Sequence, residues 1–504
     1  MASLYTTIVS FHFTGANMIP SEKKAGDATV HDPDTVEGTS ETYIDPAKEN
    51  RMMRKFDFYA IGLLGLFYMM ANLDRSNIGN AQTAGMPEDL GLVGNQFGTA
   101  TTLLYATYVP FEGPIAVLLK IVGPKPLLST CAFCWGVTTL GMAFIRSWKG
   151  LYACRLLMGL FEAGLMPCIN VYIALVYKKS ERGKRSAAIF AFSAFSSAFG
   201  GLLAYGLTQV HGPNGWQGWR WLFAVEGSMT LVLVPLFLFL FPNQPAVAWF
   251  LSTEEKAMMQ ARYDNDPHWG HNDEFTWAES LSAFTDPKWW AFWIYQFSSD
   301  ICLYGFTTFL PKIVSGLGYS GVEANLMTIP IYMVGLVFFL CIAYFSDRVG
   351  LRAPFLSIAI ICLIIGYSIL ISVESLKVRF FACFVIALGI YPTTGLSIMW
   401  LQDNTARHFK RATMVGMTLC FGNTAGVAVG QIFTTQSAPR YMMGLSISLG
   451  FSVVALIMVA TLTIGMAIVN KKRARKIRRA EDLGEVLQRK PEQGDYDIYF
   501  RYSL

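Results

Sequence analysis

The chain alternates long apolar runs with short polar loops. From Phe56 onward the runs fall near residues 56–74, 97–119, 127–145, 151–177, 186–208 and 219–241, then near 289–310, 324–345, 354–373, 378–401, 412–434 and 442–469. Each is close to the ~20 residues that a helix needs to cross a bilayer. In hydrocarbon a single spanning segment must pair its own backbone N–H and C=O groups, and a helix does so. The pattern predicts an all-α membrane protein with twelve transmembrane helices.

Polar stretches divide the chain into segments: an N-terminal tail at 1–55, six apolar runs within 56–242, a central loop at 243–287, six runs within 288–470, and a basic tail at 471–504. The first tail is dominated by Glu, Lys, Asp, Thr and Ser, a composition that reads as disorder. Its apolar start, Leu4 to Phe13, is too short to span and has no basic stretch before it. In the central loop, Thr253 followed by Glu254 and Glu255 predicts the start of a short helix. His268 and His271 in the same loop read as solvated rather than as metal ligands. The halves also repeat. Lys120-Ile121-Val122-Gly123-Pro124-Lys125 after the second run occupies the place of Asp347-Arg348-Val349-Gly350-Leu351-Arg352 after the eighth. Matching loops six helices apart are what two related bundles predict.

Composition agrees. The chain is 53% hydrophobic and 15% charged, against about a quarter charged in soluble domains, and its mean hydropathy is +0.38. The net charge of +5 comes from Lys and Arg in short loops and the tail, which act as topology signals rather than a nucleic-acid surface. Lys120 and Lys125, the cluster Lys178 to Arg185, Arg348 and Arg352, Arg407 to Arg411 and Lys471 to Arg479 fall on one side. Arg146, Lys149, Lys377 and Arg379 are exceptions on the other. The balance places both termini in the cytoplasm. All nine cysteines lie in apolar runs and read as small packing residues. No histidine lies well inside a run, and no Gly-Lys-Ser/Thr phosphate loop is present. An enzyme, an ATP-driven pump, a metal and a cofactor are therefore not expected.

Chemistry is sought among the few charges at membrane depth, where ionisable side chains are expensive. The run from Leu151 to Arg185 carries Arg155 and Glu162, about two helical turns apart and so near one face, with Gly159 and Gly164 beside them. Two readings stand: a structural ion pair between packed helices, or a proton and anion site. Asp74 and Arg75 end the first run, either as an interfacial pair or as part of that site. Glu112 lies beside Pro110 and Pro114, which suggest a bent helix; it is a gating or coupling group, or a packing partner for an arginine. Asp300 sits midway along the seventh run without a basic neighbour. It is a site for a cationic group, a second proton site, or a structural carboxyl paired with serine. Glu226 is expected to pair with Arg220 or a neighbouring helix. Tyr68, Tyr105, Tyr108, Tyr304 and Trp400 are candidate pocket aromatics, and Trp400 and Asn404 close the tenth run.

Arg155-x3-Gly159-x2-Glu162-Ala163-Gly164-x2-Pro167, followed by Tyr172, resembles the fourth helix of the anion:cation symporter branch of the major facilitator superfamily. More narrowly, it resembles the fungal allantoate permease family, whose members include nicotinate, pantothenate, biotin and allantoate transporters. Leu73 to Ala81, Gly218 to Phe223 with Glu226-Gly227, Asp347-Arg348-x-Gly350-x-Arg352, and Asp495-Tyr496 with Phe500-Arg501-Tyr502 extend the likeness from about Arg54 to the C-terminus. The resemblance implies two six-helix bundles with pseudo-two-fold symmetry and alternating access. It implies a coupling centre in which Asp74 and Glu162 carry protons while Arg75 or Arg155 engages a substrate carboxylate. Substrate would then compete with Glu162 for Arg155. Glu112 and Asp300 are added as proton candidates, and Tyr105, Tyr108, Trp400 and Asn404 as substrate contacts. Asp347, Arg348, Gly350 and Arg352 form the gating loop; the first copy has Lys120 in the acidic position. The expectation is proton-coupled uptake of a small organic anion by a monomer in the bilayer of a fungal plasma membrane. Proton-driven efflux of a secondary metabolite and a non-transporting nutrient sensor are the alternatives.

Overall fold

A computed structural model describes residues 43–504 except 211–215, 243–244, 266–276, 320, 435–436, 438–439, 486 and 489–490. His268 and His271 lie outside the described residues. The helices of eight or more residues are α1 (Pro46–Phe56), α2 (Gly62–Thr83), α3 (Gln96–Val122), α4 (Pro124–Met142), α5 (Trp148–Glu162), α6 (Leu165–Val176), α7 (Lys179–Leu207) and α8 (Gly218–Leu240). After them come α9 (Thr253–Asn265), α10 (Trp277–Thr285), α11 (Pro287–Ser315), α12 (Gly321–Val349), α13 (Ala353–Ser372), α14 (Leu376–Asp403), α15 (His408–Asn423), α16 (Ala425–Ile432) and α17 (Met442–Asp482). Each of the twelve expected spans finds its helix, the fourth broken between α5 and α6 and the eleventh between α15 and α16. Among the described residues, nine helices are long and apolar enough to cross a membrane. Large apolar side chains such as Phe133, Val232, Phe239, Val337 and Ile464 stand exposed on the outside, a surface suited to lipid rather than water.

The halves use the same packing. In the first, α2 lies on α7, α3 on α5, and α4 on α8; in the second, α11 lies on α15 and α16, α12 on α14, and α13 on α17. These are the same pairs displaced by six spans. Across the halves α2 meets α11, α7 meets α12, and α3 meets α16. Exchanging the halves maps the second of these contacts onto the third, as a pseudo-two-fold axis requires.

The halves lock together at the end away from both tails. A Cβ on Gly79 would strike the Thr308 carbonyl, and one on Gly98 would strike the Gly430 carbonyl. Small residues here let backbones approach, which is how apolar helices gain van der Waals contact in lipid. Hydrogen bonds finish the seal: Thr83 Oγ1 to Asn325 Oδ1 at 3.1 Å, Asn95 Nδ2 to Gln431 Oε1 at 2.8 Å, and Thr102 Oγ1 to the Val427 carbonyl at 2.9 Å.

The tail end carries a polar layer that departs from one expectation. Residues from Pro46 onward, assigned to a disordered tail, form α1. Asp45 caps it, and Met52, Met53 and Phe56 are buried beneath it. Its Glu49 accepts from Lys178 Nζ at 2.7 Å and Arg262 Nη1 at 2.6 Å, and Lys55 pairs with Glu255 at 2.7 Å. α9 is the predicted central-loop helix, started by Ser252 and Glu255 bonding reciprocally to each other's backbone N–H groups.

The C-terminal segment adds to this layer. α17 runs on to Asp482, and the last ten residues fold back across the second half. Asp495, 1% exposed, accepts from Lys288 Nζ at 2.5 Å and Lys410 Nζ at 3.0 Å. Asn470 holds Tyr502 through its backbone N–H and carbonyl. Arg473 donates to the Phe500 and Asp495 carbonyls, and the Arg352 N–H donates to the Leu504 carbonyl at 2.7 Å. The tail thus ties α11, the α12–α13 loop, the end of α14 and the α14–α15 loop into one piece.

Candidate substrate site

Between the halves lies a cavity of about 60 Å³, room for about four or five waters. From the first half it is lined by Tyr68, Asn72, Arg75, Tyr108 and Glu112, and from the second by Gln296, Asp300, Tyr304, Tyr391, Thr394 and Asn423. The six of these on α2 and α11, Tyr68, Asn72, Arg75, Gln296, Asp300 and Tyr304, fall at three- and four-residue helical spacings that put their side chains on inward faces.

Among the described residues, Arg75 is the one cation lining this cavity. Its Nε donates to Glu162 Oε2 at 2.6 Å, and its guanidinium lies 4.4 Å from the centre of the Tyr108 ring. Glu162 is fully buried behind it, at the last residue of α5 where the fourth span breaks. Thr107 Oγ1 donates to the Leu156 carbonyl at 2.8 Å, and Gly159 lets α3 press against α5, where a Cβ would strike the Leu104 carbonyl.

Several expected partnerships are redrawn. Glu162 pairs with Arg75, not Arg155. Arg155 is 1% exposed, and its Nε and Nη2 have no hydrogen-bond partner among the described residues. Asp74 points away from the cavity: its Oδ2 accepts from Trp135 Nε1 at 3.1 Å and its Oδ1 is unpartnered. Glu226 does not pair with Arg220, which instead binds Asp89 and the Ala143 and Ile145 carbonyls. Both Glu226 oxygens are buried without a donor. Asp74, Glu162 and Glu226 all lie within electrostatic range of Arg155. The first half therefore holds a second, dry charge cluster behind the cavity wall.

On the opposite wall Asp300, 3% exposed, accepts from Gln296 Nε2 at 3.0 and 3.1 Å and from Thr394 Oγ1 at 3.4 Å. Ser397 Oγ donates to Gln296 Oε1 at 2.7 Å, which turns the amide nitrogen toward Asp300. Glu112 Oε2 accepts from Asn423 Nδ2 at 3.4 Å, and Asn423 Oδ1 accepts from the Tyr304 hydroxyl at 2.6 Å. Tyr105 is just outside the lining; its ring lies 4.9 Å from that of Tyr304, over Gly426.

Trp400 and Asn404 were expected to touch substrate, and the structure places them elsewhere. Trp400 Nε1 donates to the Ser503 carbonyl at 2.9 Å, and the Asn404 amide bonds both the Ser503 carbonyl and its N–H. They anchor the tail. The loop residues Asp347, Arg348, Gly350 and Arg352 also stay within the second half. Arg352 pairs with Asp347 and Asp403, Gly350 takes a φ of +73° that suits glycine, and Arg348 reaches Tyr344. Gln296, Thr394, Asn72 and Asn423 were missed. Gln296 stands one helical turn before Asp300 and Asn72 one turn before Arg75, spacings that could have found both; Thr394 and Asn423 come from helices distant in sequence.

A helical bundle with an apolar outer surface, facing halves related by a two-fold and a charged cavity between them, closed at the end away from the tails, is the architecture of a membrane transporter. The family model described as Major Facilitator Superfamily matches residues 64–431, and the chain belongs to that superfamily. It is 38% identical over 455 residues to the high-affinity nicotinic acid transporter of Saccharomyces cerevisiae, covering 90% of this chain and 85% of that one. It is 30% identical over 497 residues to the major facilitator-type transporter hxnP of Emericella nidulans, covering 97% and 100%. Among solved structures, a D-xylose-proton symporter superposes with a TM-score of 0.63 at 14% identity, over 80% of this chain and 97% of that chain. At that identity the likeness speaks for the fold alone. The protein is an integral, multi-pass membrane transporter of small molecules and not an enzyme.

Proposed function

We propose that this protein is a proton-coupled symporter of a small carboxylate, of the anion:cation symporter branch and the allantoate permease family within the superfamily. The observation that carries the reading is Arg75, among the described residues the one cation on the cavity wall, held by the buried carboxylate of Glu162. A guanidinium offers a planar fork that suits a carboxylate with two bonds. An entering substrate carboxylate competes with Glu162 for Arg75, and the displaced Glu162 takes a proton to remain in its apolar surroundings. Asp74, linked to Glu162 through Arg155, is the second proton carrier, and Glu112 and Asp300 answer from the cavity side. The similarity to a nicotinic acid transporter supports a flat, ring-bearing acid, which the tyrosines of the lining would stack against.

In this reading the protein works as a monomer in a fungal plasma membrane with both tails in the cytoplasm, and the sealed end of the bundle faces outward. The Asp347–Arg352 loop gates the cytoplasmic side, moving as one body with the tail that braces it. Uptake into proteoliposomes tests the proposal. Nicotinate, pantothenate, biotin, allantoate and tartrate are offered under an inward proton gradient. Accumulation of one of them that collapses with a protonophore is the expected result; no accumulation by folded protein overturns it.

A further inference from the structure

Asp300 has a use beyond the carboxylate reading, on which this inference rests. It lines the cavity on the wall opposite Arg75, and Tyr68, Tyr108, Tyr304 and Tyr391 line the same cavity. Asp300 has no cationic partner among the described residues. Its donors are one amide nitrogen, Gln296 Nε2, and one distant hydroxyl, Thr394 Oγ1. Two carboxylate oxygens offer about four acceptor positions, so acceptor capacity remains unused. The packing also makes room for this group: a Cβ at Gly422 would run into Asp300 Oδ2, so helix α15 presents bare backbone there. The Gln296 amide is itself held by Ser397, and a buried carboxyl oriented this carefully with capacity left over is a recognition group awaiting a donor.

We infer that the substrate is dipolar, with its carboxylate at Arg75 and a nitrogen at Asp300, one proton lying between that nitrogen and the Asp300 carboxyl. A heteroaromatic acid with a basic ring nitrogen fits this description: the ring lies among the tyrosines and its two poles meet the two walls. The bond needs one proton from solution, held on either the nitrogen or the carboxyl, and no covalent change. Specificity then follows from the polar contact rather than from shape. A buried group built to share a hydrogen bond rejects the isostere that lacks it, because one side is left unpaired.

The test is equilibrium binding to the purified full-length protein with three acids of similar shape: nicotinate, benzoate, which lacks the nitrogen, and N-methylnicotinate, whose nitrogen cannot carry the proton. The wild type is expected to prefer nicotinate to both by about 10- to 100-fold, the range of a charge-assisted hydrogen bond in a dry site. Asp300→Leu should bring nicotinate and benzoate within about threefold of each other, chiefly by weakening nicotinate. Asp300→Asn, which keeps shape and polarity, serves as the folding control and should fall between. Equal binding of nicotinate and benzoate by the wild type overturns the inference and leaves the carboxylate reading standing. So does an unchanged preference in both Asp300 variants, or loss of the preference in Glu112→Gln alone, which would make Glu112 the partner. Failure of every acid to bind overturns the carboxylate reading and this inference together.

Discussion

Replacing Glu162 with glutamine is the sharpest test of the cavity's logic. In the wild type a substrate carboxylate must take the place of a carboxylate already bonded to Arg75 at 2.6 Å. A hydrogen bond between charged groups contributes about 1.5–3 kcal/mol and a neutral one about 0.5–1.5 kcal/mol. Glutamine at this position keeps the shape and still accepts from the charged guanidinium but loses its own charge, so the bond falls toward the lower end of the charged range and the competitor is weakened by about 1–1.5 kcal/mol. Substrate should therefore bind about tenfold more tightly. The same change leaves the Arg75 charge less well compensated, and losing one partner of a buried pair costs about 3–5 kcal/mol in the general case. Here the loss should sit at the low end, because the Tyr108 ring remains 4.4 Å away and Arg75 opens onto the cavity. Direct binding of radiolabelled nicotinate to purified protein reads the affinity. Uptake and counterflow in liposomes read the coupling: exchange should persist while gradient-driven accumulation is lost. Unchanged or weaker binding by a well-folded variant, together with wild-type accumulation, would refute competition at Arg75.

Three further outcomes follow from other parts of the molecule. Gly98→Val places a branched side chain against the Gly430 carbonyl; it should push the sealed end apart and make a cysteine introduced in the lining reachable from that end, which thiol labelling in membranes would register. Asp495→Asn removes the carboxylate shared by Lys288 and Lys410, but Lys410 keeps Asp286 at 2.6 Å. The stability loss should then be about 2 kcal/mol, below the ~3–5 kcal/mol of a buried pair with no second partner, and thermal unfolding in detergent would measure it. The docked tail also has a pH dependence of definite sign. Burial acts to raise Asp495, but Lys288 and Lys410 outweigh it and hold the carboxyl below the usual range. With its folded value under the free-chain value of about 3.9, docking is stabilised above that pH and loosens as pH falls through the lower folded value. Proteolysis of the tail should stay constant from neutrality to about pH 4 and rise below it.

The order of apolar runs was enough to predict this architecture. Twenty-residue apolar stretches have one solution in lipid, since an unpaired backbone group there has no water to turn to. Hence the helices at 151–177 and 412–434 were legible as spans, and the high cost of charge in that setting singled out Asp74, Arg75, Glu112, Arg155, Glu162 and Asp300. Local signals also carried α9, where Ser252 and Glu255 close a capping box. What the linear chain could not decide is who meets whom. Arg155 and Glu162 share one helix and invite pairing, yet Glu162 bonds Arg75 on another helix, 87 residues earlier. Trp400 and Asn404 look like pocket residues until the tail, about 100 residues later, folds back onto them. Helix existence depends on neighbours within a few residues and on the solvent, so the sequence alone determines it. Partner choice at a site depends on side chains from several helices meeting at one depth, and that is set only when the two halves pack.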